Sequence, residues 1–347
     1  MLRVPAHRGW VKINAGHSGF YRVAYAPELL GRLTQAVAAG RLSTLDVFGL
    51  LDDAFALAQA GHLRTSQAMD LLANCRRYTD YTVWLTVAGS LAAVERLLRE
   101  PHLQHRLDGF SRDLFHPLAE RLGWERRSTD GHLDALLRAL IIGRLGHYQD
   151  AATIQEARQR FSRFVRTGGL LPDIRGAVYA TVAEHGEAPE YAKLLKVYRM
   201  AGMQEERVRV LRALTCFQQP NLIRTVLRFA LSDQVRAQDA YAVVGGFGHN
   251  RAGRHLAWQF IQTHWKTLVQ RYASGGLNLM ARIVEGATNS FATEADFTDV
   301  RRFFTTHPVA GTERAMRRSL ETIQTTIRWA RRDGTDLRSW LTVRPLP

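Results

Sequence analysis

The chain has 347 residues, 46% of them hydrophobic, and a formal net charge of +15, which is ample for a large core and for more than one globular unit. Its longest apolar runs, such as LLANC and ALIIG, fall far short of the ~20 residues that cross a bilayer, and no signal-type apolar run opens the sequence, so a soluble chain is expected. Cys75 and Cys216 lie far apart with no CxxC or Cys/His cluster around them, which argues against a disulfide framework and for two reduced core residues.

The first stretch with a clear pattern is WVKINAGHSGFYRVAY, in which Val11, Ile13, Tyr21, Val23 and Tyr25 alternate with other positions while Gly16 and Gly19 bracket a turn. This predicts two strands joined by a loop. An isolated hairpin is marginal in water, so these strands would need partners. After Pro27 the period becomes helical. STLDVFGLLDDAFALAQAG opens with a Ser43-x-x-Asp46 cap, carries Leu45, Phe48, Asp52 and Phe55 at helical spacing and stops at Gly61.

The middle of the chain, from IRGAVYATVAEHG through EYAKLLKVYRMAG and ERVRVLRALTC to NLIRTVLRFALS, reads as successive antiparallel helix pairs. They are separated by short breaks such as EHGEAPE, FQQPN and FGHNRAG. No strict sequence repeat is visible, so the pattern predicts a degenerate HEAT-like or armadillo-like array with a concave binding face. TEADFTDVRRFF repeats the capping device with Thr293 and Asp296. The last long segment places Met316, Leu320, Ile323 and Ile327 on one stripe, with Arg317, Arg318, Glu321 and Thr325 turned away.

Arginine dominates the basic residues, but the pairs Arg76-Arg77, Arg126-Arg127, Arg301-Arg302, Arg317-Arg318 and Arg331-Arg332 are spread along the chain. They form no single basic stripe, so solvated helix faces are expected and no nucleic-acid partner. Thirteen histidines give no metal set. His102 and His105 share a helical face without a completing carboxylate or cysteine, and EHGEAPE around His185 has Gly and Pro where a ligand-bearing helix would be needed. HExxH, GxSxG, Walker and GxGxxG motifs are absent, and VGGFGHN follows a helical segment where a phosphate loop would follow a strand. By its motifs the chain alone is not an enzyme.

WVKINAGHSGFYRVAY resembles the end of the small β-sandwich in the aminopeptidase N, puromycin-sensitive and endoplasmic reticulum aminopeptidase family of zinc exopeptidases. LSTLDVFGLLDDAFALAQAGHL is similar to the helical segment that follows in that family, with Asp53, Phe55, Leu57 and Ala58 matching and Val47 where Arg is common. Gln238, Asp239, Trp258, Phe260, Trp265 and Leu268 match the family's late helices, a Q-[DE] pair followed after a break by a W-x-F-x-x-x-x-W-x-x-L helix. Read from the residues alone, Trp258 and Trp265 are core aromatics.

The resemblance implies an all-α, HEAT/armadillo-like superhelix forming a concave bowl, residues 27–347, preceded by a β-hairpin remnant of a sandwich domain, residues 1–26. It implies that zinc, the HExxH motif and a GxMEN motif belong to a catalytic domain upstream. The implied partners are that domain, the β-sandwich and peptide substrates, over which the bowl would close and gate access. His249, Asn250, Asn278, Arg282 and Gln238 are the implied cavity residues. The plainer reading of each is a surface polar residue or a helix cap. A free-standing adaptor binding a protein partner on the concave face is the alternative.

Overall fold

The computed structural model describes residues 9–272 and 279–343. Among them there are seventeen α-helices and no strand, so the all-α expectation holds. The helices are α1 (Pro27–Ala38), α2 (Thr44–Ala60), α3 (Thr65–Ala73), α4 (Tyr81–Glu95), α5 (Pro101–Leu122) and α6 (His132–His147). Then come α7 (Ala151–Thr167), α8 (Pro172–Glu184), α9 (Ala188–Met200), α10 (Gln204–Leu214), α11 (Pro220–Ala230) and α12 (Ala237–Val244). The last five are α13 (Arg254–Thr263), α14 (Trp265–Tyr272), α15 (Leu279–Thr288), α16 (Glu294–Thr306) and α17 (Glu313–Val343).

Local chemistry sets most of these boundaries. Pro27, Pro101, Pro172 and Pro220 each open a helix at its first position, where a missing N–H costs nothing. Ser43, Asp150 and Thr293 cap α2, α7 and α16 by accepting the N–H groups of Asp46, Thr153 and Asp296. Gly61 ends α2 at φ 90°, and the His62 N–H turns back to the Leu57 carbonyl at 2.8 Å.

The chain divides into two compact units, residues 1–141 with 328–347 and residues 142–327. In the first, Trp84 of α4 is fully buried, donates to the Tyr78 carbonyl at 2.6 Å and packs on Phe115 of α5. A polar knot lies nearby in sequence terms only at one end: Asp333 of α17 accepts the Thr65 N–H at 3.1 Å and its hydroxyl at 2.6 Å. Trp329 donates to the same hydroxyl at 2.8 Å. All three side chains are buried, and each polar group has a partner, as burial requires.

The expected N-terminal hairpin is not found among the described residues. Residues 9–26 form no strand; they make a short 3-10 turn, Ala15–His17, and an extended strap lying on α2. Side chains close the strap where a backbone ladder would have done so. Tyr25 Oη accepts the Ile13 N–H at 3.0 Å and donates to the Ile13 carbonyl at 3.2 Å. The Asn14 side chain accepts the Gly19 N–H at 2.7 Å and donates to the Gly19 carbonyl at 3.1 Å. The strap is tied to α2 through Gly16 N–H on Asp46 at 2.7 Å and Val23 N–H on Asp53 at 3.2 Å.

In the second unit, α8, α10, α12 and α15 pack in succession, and α7, α9, α11 and α13 pack against them as the second layer. That is the HEAT-like plan: each helix pair buries its apolar side on the next pair, so the core is continuous although the sequence does not repeat. Phe161, Tyr179, Leu194, Val210, Ile223, Leu227, Val243, Ile283 and Val284 fill it. Trp258 and Trp265 are indeed core residues, edge-on to Phe303 at 5.3 and 5.0 Å. The single long helix expected across them is two helices, because the Phe260 carbonyl takes both the N–H and the imidazole of His264 and the helix restarts at Trp265. The stripe predicted on α17 also holds in part: Ile323 and Ile327 are buried, Met316 and Leu320 half-buried, and Arg317, Arg318 and Glu321 exposed.

Candidate functional site

Three of the five sequence-predicted site residues come together along one seam of the second unit. Helix α12 and the 3-10 turn Gly246–His249 that follows it pack on α15. Residues meet in parallel register about 41 positions apart: Arg282 with Tyr241, Gly286 with Gly245, and Asn289 with His249. Successive contacts fall one turn apart, so they line one face of each helix.

The glycines explain why the helices can approach so closely. A Cβ on Gly245 would lie 3.3 Å from the Arg282 carbonyl oxygen, and one on Gly286 would lie 3.0 Å from the Gly245 Cα. A Cβ on Gly248 would overlap the Gly286 carbonyl oxygen. The glycine-rich VGGFGHN is therefore a packing motif: Val243, Val244 and Phe247 point into the core and the glycines admit a neighbouring backbone.

Polar groups rim this seam. Arg282 is exposed, donates to Tyr241 Oη at 3.2 Å and holds its Cζ 5.4 Å from the centre of the Tyr241 ring. The phenol and the ring face together fix the guanidinium near one end of the seam. At the other end His249 is exposed, with Nε2 3.4 Å from Asn289 Nδ2. Gln238 is exposed on the first turn of α12, three residues and so one turn before Tyr241. Asn250 faces inward instead. Its amide donates to the Thr215 and Phe217 carbonyls, both at 2.8 Å, and its oxygen accepts the Gly253 N–H at 3.0 Å, which locks the turn carrying His249 to the end of α10. Asn278 lies outside the described residues. Sequence reasoning missed Tyr241 and Asn289, whose partners are 41 and 40 residues away.

Elsewhere the chemistry is quiet. Among the described residues, no group of three or more His, Cys, Asp or Glu could hold a metal ion, and no helix is long and apolar enough to cross a membrane. His102 and His105 are exposed on α5, and the five Arg pairs are exposed. Cys75 is buried in a 3-10 turn and Cys216 half-buried just after α10; both are free, and burial pushes each thiol up to about 12, so neither is a thiolate at neutral pH.

A two-layered helical array with a glycine-packed seam defines a helical-repeat domain. The family model described as the ERAP1-like C-terminal domain matches residues 10–325, and the chain belongs to that family. It is similar to aminopeptidase M1-A of Oryza sativa subsp. japonica, 34% identical with 92% of this chain covered. It is 31% identical to aminopeptidase M1 of Arabidopsis thaliana, over the same share. Aminopeptidase 2 of Candida albicans is 27% identical over 98% of this chain. The chain spans 37% of the length of each of these relatives.

Proposed function

We propose that this chain is the non-catalytic C-terminal helical domain of a zinc-dependent aminopeptidase, closing over an upstream catalytic domain to form the peptide chamber and limit access to it. The observation that carries this reading is coverage: a C-terminal-domain family model spans residues 10–325, while the chain accounts for 37% of the length of relatives named as aminopeptidases. The donor set of the described residues does not fit zinc, and in this reading the hydrolytic chemistry belongs to the other part of such a protein.

Within this reading the α12–α15 seam forms part of the chamber wall. Arg282 and His249 supply donors suited to the carbonyls and the terminal carboxylate of a peptide beyond its first residue. Asn250 is the anchor that holds His249 in place, and Gln238 extends the same surface. The strap supports a covered edge: Phe20 is wholly exposed and Tyr21 about half exposed, more apolar surface than a free edge usually shows.

The test is a chimera in which this chain replaces the matching C-terminal region of the rice aminopeptidase M1-A. The isolated chain is expected to release no fluorophore from aminoacyl amides with zinc added, and the chimera to do so. Chelator-sensitive turnover by the purified chain, or a chimera that folds yet treats long and short peptides as the truncated rice protein does, would contradict the proposal.

A further inference from the structure

An opening in the second unit lies away from the α12–α15 seam, where the end of α7, the start of α8, the end of α9 and the start of α10 meet. It is a groove of about 280 Å³, at the low end of the range for ligand sites. Its walls are apolar: Phe164, Val165 and Val197 line it, and Met200 and Met203 stand at its edge 74% and 66% exposed. Methionine left in water on a groove wall is a poor choice for stability and a good one for an adaptable contact surface.

The groove lining carries two cations, Arg175 and Lys196, and one carboxylate, while Asp173 and Glu205 are exposed on the first turns of α8 and α10. Its one lining carboxylate, Glu206, is buried and already engaged: Tyr179 donates to it at 2.6 Å, Arg209 pairs with it, and Arg175 lies 3.5 Å away. Arg175 also covers Phe164, its Cζ 5.0 Å from the ring centre. Lys196 is exposed at the groove and has no ion-pair partner among the described residues. Arg163, Arg166 and Arg199 are exposed on the last turns of the same two helices. An apolar slot with a neutralised floor and the unpaired Lys196 at its edge is complementary to an apolar side chain next to a carboxylate.

We propose that this groove binds a short acidic peptide segment, one large apolar side chain seating among Val165, Val197, Met200 and Met203 and a neighbouring carboxylate pairing with Lys196. The inference is independent of the chamber reading, because the groove and the α12–α15 seam share no residue. It assigns a second recognition surface, one that would take an internal segment of a partner protein and needs no free amino terminus.

The experiment uses the full chain and an N-acetylated, C-amidated hexapeptide of the sequence Asp-Glu-Phe-Leu-Glu-Asp carrying a fluorophore, followed by anisotropy at physiological salt. Blocking the termini removes any contribution from an exopeptidase site. Lys196→Glu is expected to weaken binding about tenfold. Lys193→Glu, an equal change of net charge at a residue already paired with Glu190, is expected to weaken it less than about twofold. With methyl-labelled methionine, the peptide should shift the Met200 and Met203 signals and leave the buried Met69 and Met280 in place. Equal losses in the two lysine variants would reduce the binding to general attraction by a basic chain. That result, methyl shifts away from Met200 and Met203, or no binding at millimolar peptide would each overturn the proposal.

Discussion

Gly248 and Gly286 meet backbone to backbone, so closely that a Cβ at 248 would occupy the place of the Gly286 carbonyl oxygen. The α12–α15 seam has no slack there. Gly248→Ala should cost about 1–3 kcal/mol by overpacking and lower the melting temperature by several degrees. Gly89→Ala is the opposite case: Gly89 is exposed inside α4 with nothing within 4 Å of its would-be Cβ, and the change should stabilise by about 0.5–1 kcal/mol. Thermal melts of both variants check the account, and a neutral Gly248→Ala would show that the seam can open.

The strap over α2 should contribute stability without being needed for the array. Asp53 is 1% exposed, and its partners are the Val23 N–H and the Arg22 guanidinium. Deleting residues 1–26 removes those partners and the buried Val23 that packs beside them, so the truncated chain should lose about 2–4 kcal/mol while keeping its helical circular dichroism. Loss of the helical signal altogether would make the strap integral; an unchanged melting temperature would make Asp53 irrelevant.

Acid should weaken the first unit through Asp333. Burial works to raise its pKa, but the bonds from Arg332 and Thr65 outweigh it and hold the carboxyl below the ordinary carboxylate range. A lowered folded value means the contribution is present above the unfolded value and is lost as pH falls through the folded one. The melting temperature of wild type should therefore exceed that of Asp333→Asn near pH 7, with the gap closing as pH falls below the ordinary carboxylate range. A gap that stays constant as pH falls would remove Asp333 from the account of acid sensitivity.

How much of this was legible in the sequence depended on how local the cause is. The caps at Ser43 and Thr293 and the stop at Gly61 are decided within a few residues, and all three stand where the pattern placed them. The alternation from Val11 to Tyr25 could not distinguish a hairpin from an extended strap, because both have period two; the bonds of Tyr25 and Asn14 decided it. The glycines of VGGFGHN looked like loop residues, since the helix they admit is about 40 positions away. The groove beside Lys196 gave no linear signal at all, being assembled from four separate helices.

His249 should help hold longer peptides in its charged form. In the chimera, His249→Ala is expected to reduce kcat/KM for an octapeptide more than for an aminoacyl amide, with the difference fading at alkaline pH as the imidazolium is lost. A pH profile of the ratio of the two substrates, wild type against variant, reads this directly. A pH-independent loss would mean that His249 acts only by supporting the turn.

The claim that the α12–α15 seam is a wall touched by substrate rests most heavily on Arg282. Replacing it with Ala removes a guanidinium held by Tyr241 at the surface and should leave the fold intact. A charged hydrogen bond to a peptide contributes on the order of 1.5–3 kcal/mol, so kcat/KM should fall roughly tenfold or more for substrates long enough to reach the wall. The deciding measurement is kcat/KM of the Arg282→Ala chimera with an octapeptide and with a single aminoacyl amide. The account predicts a loss confined to the octapeptide; equal effects on the two substrates would contradict it and leave Arg282 a solvated helix residue.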